Sequence, residues 1–265
     1  MTGHRRHGSG LPAAIRFLTR VPVPGPSSGA ETLARSVPWF PVVGGAIGAL
    51  VAGVYGVGLL LWPALVAAVV AVAAGLVVTG AFHEDGLADT ADALAGGSAH
   101  GDPAEALRIM RDPTLGTFGV LALVASFAAR VVALAALDTS AALAVLIGAH
   151  SLGRAAAVGA MTVEPAAPDG LGAEHARRVG RREISGAFAI AGVLAIAAMG
   201  VWGVAAAVVA AIPAVALARY ARRALGGITG DILGAVEQVA EVLILLGAVA
   251  IAHNGWGDVA WWSHG

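Results

Sequence analysis

Seven stretches of mostly apolar residues, joined by short polar links, constrain this chain more than anything else in it. They run from about Pro38 to Leu61, Ala64 to Phe82, Phe118 to Leu137, Ala141 to Val163, Ile184 to Val201, Val204 to Ala221, and from Asp231 to near His253. Roughly twenty such residues wound as a helix cross the hydrocarbon core of a bilayer. Charge is scarce: 12% of the residues are Asp, Glu, Lys or Arg, and 58% are hydrophobic. A soluble domain carries about 25% charged residues, so most of this surface has to face lipid. Thirty-seven glycines suit closely packed membrane helices. The expected fold is all-α, a polytopic membrane bundle of about seven spans in which residues 1–265 form one domain.

Arginine placement orients that bundle. All 16 basic residues are arginines. Five precede the first span, two lie in the 83–117 segment, four in the 164–183 loop and three at the end of the sixth span. With seven spans all of these fall on one side, which the positive-inside rule makes cytoplasmic. The N-terminus is then inside, in the inner (cytoplasmic) membrane, and the 83–117 segment is a cytoplasmic active-site loop. Residues 1–37 read as an interfacial amphipathic piece followed by an irregular linker. There is no cysteine, so thiolate metal sites are excluded. A net charge of −1 with no basic stripe argues against nucleic acid. No internal repeat suggests a transporter built from inverted halves.

Residues 83–94, HEDGLADTADAL, concentrate acid directly after an apolar run. On a helix, Asp85, Asp89 and Asp92 fall within roughly 60° of one another. Carboxylates so close repel, and a hard divalent ion such as Mg²⁺ resolves the repulsion. A solvated helix start is the plainer alternative. Glu84 lies about 100° off the stripe. Arg111-Asp112 follows in IMRDPTLGTFG; Arg111 suits a phosphate, whereas Asp112 before Pro113 also suits a turn or a helix cap. In GGITGDILGAVEQVAEVLILL, Asp231, Gly234, Gln238 and Glu241 share a face, and Glu237 points elsewhere. Glu241 falls about 15 Å below Asp231 and must be paired, protonated or facing a polar cavity. Asp231 doubles as a possible N-cap. Arg130 and Arg154 sit inside spans, where a charge marks either a functional interior or a salt bridge with Glu241 or Asp231. His83 stands beside the stripe, and His150 reads as a satisfied buried group. These parts allow an Mg²⁺-assisted enzyme acting on phosphates or, alternatively, a cation-coupled transporter.

FHEDGLADTADAL, IMRDPTLGTFGVLAL and GGITGDILGA, with RFLTRVPVP near the start, resemble the adenosylcobinamide-GDP ribazoletransferase (cobalamin synthase) family over nearly the whole chain. The resemblance implies an Mg²⁺-dependent inner-membrane transferase at the last step of cobalamin nucleotide-loop assembly. It joins adenosylcobinamide-GDP to α-ribazole or its 5′-phosphate and releases GMP. It implies metal binding by Asp85, Asp89 and Asp92, and catalytic roles for Arg111, Asp231 and Glu241. Substrate contacts then fall on Arg111, Asp112, Arg130, Arg154, Gly230 and Asp231. A CDP-alcohol phosphotransferase needs Ala-Arg soon after Asp-Gly, and here Ala88 is followed by Asp89.

Overall fold

The computed structural model describes residues 10–24, 29–96, 102–163 and 178–256. Most of the 164–183 loop and the tail with Trp261 and Trp262 lie outside the described residues, as does Gly97. Among the described residues every regular element is a helix. That is what lipid demands, because backbone N–H and C=O groups without water must pair inside their own segment. In chain order the helices are α1 (Gly10–Leu18), α2 (Ala30–Ser36), α3 (Phe40–Gly58, after a 3₁₀ turn), α4 (Ala64–Thr79) and α5 (Phe82–Gly96). They continue as α6 (Pro103–Ile109), α7 (Thr117–Ala136), α8 (Thr139–Ala160), α9 (Arg181–Met199), α10 (Trp202–Ala224) and α11 (Gly230–His253).

Six helical runs are long and apolar enough to cross a membrane: Glu31–Gly58, α7, α8, α9, α10 and α11. The pair α4 and α5 passes only jointly and is bent by 92°, which brings the count to as many as seven. The bundle is therefore the polytopic all-α fold that the apolar runs imply. Short links at Trp62-Pro63, Asp138 and Gly200 reverse the chain between neighbours. Alternating spans would place the described arginines outside them at one end of the bundle.

Helix α8 is the centre. In its most apolar window 89% of the residues are buried, against 22% and 28% for α9 and α10. It packs against α3, α9, α10 and α11. Gly44 and Gly48 of α3 lie so close to the carbonyls of His150 and Leu146 on α8 that any Cβ would overlap them. Lipid is as apolar as the side chains, so close van der Waals packing supplies the association.

The second apolar run ends at Thr79 rather than Phe82, and the reason is local. Gly80 takes the left-handed conformation (φ 69°) and caps α4 by donating to the Leu76 carbonyl. Ala81 follows it at φ 55°, a conformation that costs a non-glycine residue about 1–2 kcal/mol. Two left-handed residues in succession swing α5 away from α4. Arg20 packs over this elbow: its backbone N–H donates to the Val78 carbonyl at 2.7 Å, and its side chain covers Gly80.

Gly48→Ala pushes α3 off α8 and lowers the melting temperature, by the equivalent of about 1–3 kcal/mol for an overpacked contact. Gly53→Ala, with nothing within 4 Å of the added carbon, leaves it unchanged. Thermal unfolding of both variants in detergent checks the pair.

Candidate active site

Helices α5 and α11 meet backbone to backbone. A Cβ on Gly86 would stand 2.7 Å from the Asp231 carbonyl oxygen, and one on Gly234 would stand 3.0 Å from that of His83. Nothing bulky separates the two helices, so Asp85 and Asp89 come beside Asp231 in the first turn of α11. Asp85 is exposed, and Asp89 and Asp231 are half-buried. Asp89 lies at the mouth of the bundle, outside the spans. It is pushed up to about 6, first by burial and then by the neighbouring charges of Asp231, Asp85 and Asp92 in falling order. These carboxylates offer oxygen donors of the kind a hard divalent cation such as Mg²⁺ takes, whereas among the described residues only His150, Glu237 and Glu241 already hold three ligand atoms within 4.8 Å of one another.

Asp92 shares the stripe and also does something else. Its two oxygens accept the backbone N–H groups of Gly116 at 2.7 Å and Gly119 at 2.8 Å. They cap α7 and tie down the 110–116 turn, which carries Arg111 and Asp112. Asp112 accepts from the Thr114 hydroxyl and backbone N–H, which hold its carboxyl below the usual range. Arg111 is exposed and has no ion-pair partner among the described residues. Its neighbour Met110 lies 4.0 Å from the Thr229 hydroxyl, which brings this turn over the start of α11. The N-cap of α11 is Thr229, whose side chain accepts from the Ile232 N–H, rather than Asp231. Gly230 is exposed beside it. A cleft of about 340 Å³ opens between the end of α5 and the turn, lined by Asp92, Gly96, Ile109, Asp112 and Phe118 among others.

Arg130, Arg154 and Glu241 are elsewhere. They are buried in an ionic core beneath the acidic mouth. Arg154 on α8 contacts both Glu237 and Glu241 on α11. His150 Nδ1 lies 2.5 Å from a Glu241 oxygen. Arg130 on α7 donates to Glu84 at 3.0 Å. Gln238 donates to Glu237 at 2.9 Å, and His83 Nδ1 is 3.7 Å from the same carboxylate. Around these groups is a cavity of about 20 Å³, room for roughly one water. His150, Glu237 and Glu241 place three ligand atoms within 4.8 Å of one another, but Arg154 already supplies the cation they need.

The spacing of the acids therefore brings together Asp85, Asp89 and Asp231, with Asp92 at their edge. It leaves Glu241, with its partner Arg154, about two to three helical turns below Asp231, and Arg130 on the inward side of α5 against Glu84. Glu237, read from the sequence as pointing away, is fully buried against Arg154, and Glu84 is the partner of Arg130. A charge tally could have found both. Two arginines at membrane depth need acids at the same depth, and Glu84, Glu237 and Glu241 are the ones within reach.

The family model described as cobalamin-5-phosphate synthase matches residues 10–249. The chain belongs to the cobalamin-5-phosphate synthase family. It is 44% identical to the adenosylcobinamide-GDP ribazoletransferase of Alkalilimnicola ehrlichii over 94% of this chain and 98% of that protein. The proteins of the same name from Bradyrhizobium diazoefficiens and Ralstonia nicotianae are 41% and 39% identical, over 91% and 88% of this chain and 93% and 91% of theirs. No solved structure matches. Membership makes the chain a transferase, which decides between the enzyme and the transporter.

Two outcomes follow from these two layers. Arg154→Met takes from the buried Glu237 and Glu241 the guanidinium they share and lowers stability by about 3–5 kcal/mol, read as a fall in melting temperature. Asp89, raised in the folded state to about 6 from an unfolded value of about 3.9, favours folding most at low pH. That contribution is lost as pH rises through about 6. In chelator the melting temperature therefore falls between about pH 4 and pH 7, and Asp89→Asn flattens the fall.

Proposed function

We propose that this chain transfers the phosphocobinamide group of adenosylcobinamide-GDP to a ribose hydroxyl of α-ribazole or its 5′-phosphate, using Mg²⁺. The oxygen of that hydroxyl attacks the phosphorus on the cobinamide side of the diphosphate. The new oxygen–phosphorus bond forms as the bond to the GMP oxygen breaks, and GMP leaves. The names of the close relatives support the substrates. The observation that carries the chemistry is the convergence of Asp85, Asp89 and Asp231 across a contact without side chains.

Asp85, Asp89 and Asp231 would hold the ion, with Asp92 at the edge. Bound Mg²⁺ would neutralise charge on the diphosphate oxygens and orient them. Arg111, exposed on a turn pinned by Asp92, stands where it can fork around a phosphoryl oxygen in the transition state. Asp112 borders the cleft beside this turn and shapes the entry of substrate, with Gly230 exposed at the start of α11. Asp231, half-buried at the mouth, is placed to receive the hydroxyl proton. Glu241 is paired with Arg154 and His150 in the closed core, so its contribution is to hold α11 in place. The same holds for Arg154 and Arg130, which reach acids of the protein rather than the open cleft.

We place the acidic mouth on the cytoplasmic side of the inner membrane, together with the N-terminus. The arginines outside spans support this, because alternating spans would bring them to the end of the bundle where α5 and α11 carry their acids.

GMP release from adenosylcobinamide-GDP and α-ribazole by the purified protein is expected with Mg²⁺ and absent in EDTA. Asp85→Asn and Asp89→Asn each lower turnover by about a hundredfold or more, with the protein still folded. Near-normal rates in both variants would rule out the cation role of this stripe.

A further inference from the structure

Glu84 precedes Asp85 by one residue and faces the other way. It is 8% exposed, one of its oxygens accepts from Arg130 at 3.0 Å, and the other has no hydrogen-bond partner among the described residues. Arg130 is 7% exposed and comes from α7. Successive helical residues differ by about 100°, so a Glu84 drawn inward turns Asp85 and Asp89 outward toward Asp231.

At its outer end α5 is held by Asp92, which accepts from the N–H groups of Gly116 and Gly119 on α7; nearer the elbow its buried face includes Gly86 and Ala88, small groups that by themselves give little register. A one-residue slip moves α5 by about 1.5 Å and rotates its acids by about 100°. Because Gly86 and Gly234 let the backbones touch, no side-chain layer absorbs such a slip. A directional ion pair at the inner end of α5 does fix register. An apolar pair would hold the helices together at least as well as buried charges do, so adhesion alone does not explain the choice of residues.

We propose that Glu84, acting through Arg130, is a positioning residue for the cation site. The buried pair sets the insertion and rotation of α5 against α11, and with them the separation of Asp85 and Asp89 from Asp231. This inference rests on the Mg²⁺ reading of the acidic mouth.

The test uses the full-length protein in detergent, with Mn²⁺ as the probe, its binding read from the EPR signal of free Mn²⁺ without substrate. Glu84→Gln leaves Arg130 unpaired and lowers the melting temperature. The double variant Glu84→Leu/Arg130→Met removes both charges and restores it. In both, Mn²⁺ binds about tenfold more weakly or worse, the range carried by outer-shell partners of metal ligands, while kcat at saturating Mg²⁺ changes little. Arg130→Lys keeps the charge but loses the guanidinium fork; it folds and weakens Mn²⁺ binding in the same direction. A double variant or Arg130→Lys protein that melts like the wild type and binds Mn²⁺ like the wild type overturns the proposal. So does a double variant in which melting temperature and Mn²⁺ affinity fall together while Arg130→Lys binds Mn²⁺ normally. Asp85→Asn is the control: if it too leaves Mn²⁺ binding intact, the Mg²⁺ reading falls with this one. If Asp85→Asn weakens binding and the Glu84 and Arg130 variants do not, only the positioning role falls.

Discussion

Two guanidinium groups at membrane depth, Arg130 and Arg154, govern how the inner helices can pack. A charge there is tolerated only when paired or facing a polar cavity. Arg154 on α8 finds Glu237 and Glu241 on α11, and Arg130 on α7 finds Glu84 on α5. These pairs fix the mutual rotation of four helices. The acidic mouth follows from them, because Asp85 adjoins Glu84 and Asp231 lies on the same helix as Glu237 and Glu241. The visible cluster of acids is thus held by pairs buried beneath it.

The two layers differ in charge balance, and that decides which of them is chemically open. In the core, three carboxylates face two guanidiniums and two histidines, so each acid has a partner close at hand. At the mouth, Asp85, Asp89, Asp92 and Asp231 gather, and among the described residues no arginine forms an ion pair with any of them. Asp89 feels both its burial and this crowding: burial first, then the charges of Asp231, Asp85 and Asp92, push its carboxyl up to about 6. A divalent ion would relieve that crowding at the mouth; in the core it would have to displace Arg154. The cluster of His150, Glu237 and Glu241 has the geometry of a metal site but lacks the vacancy for one.

The sequence makes the spans and the acid stripe legible because each depends on nearest neighbours along the chain. Apolar runs mark helices that lipid requires, and a spacing of three and four residues marks a shared face. The remainder depends on contacts distant in sequence. Asp92 reads as one more member of the stripe until α7 arrives with the N–H groups of Gly116 and Gly119. Glu237 reads as turned aside because its angle is measured from Asp231, whereas its partner Arg154 comes from another helix. The right-angle elbow is half legible: Gly80 signals a helix end, but Ala81 carries no sign that it too adopts a left-handed conformation.

Why the acids need two helices follows from the same geometry. A single helix places Asp85, Asp89 and Asp92 along a ridge, and a ridge presents its oxygens outward, side by side. A cation needs donors that converge. The acids of α5 and α11 approach one another across the Gly86–Gly234 contact, where Asp231 heads the neighbouring charges that raise Asp89. That approach is possible only because Gly86 and Gly234 remove the side chains that would hold the two backbones apart. The elbow at Gly80-Ala81 then gives α5 an angle at which its acids reach the first turn of α11. Glycine at the crossing and left-handed residues at the bend belong to the site as much as the carboxylates do.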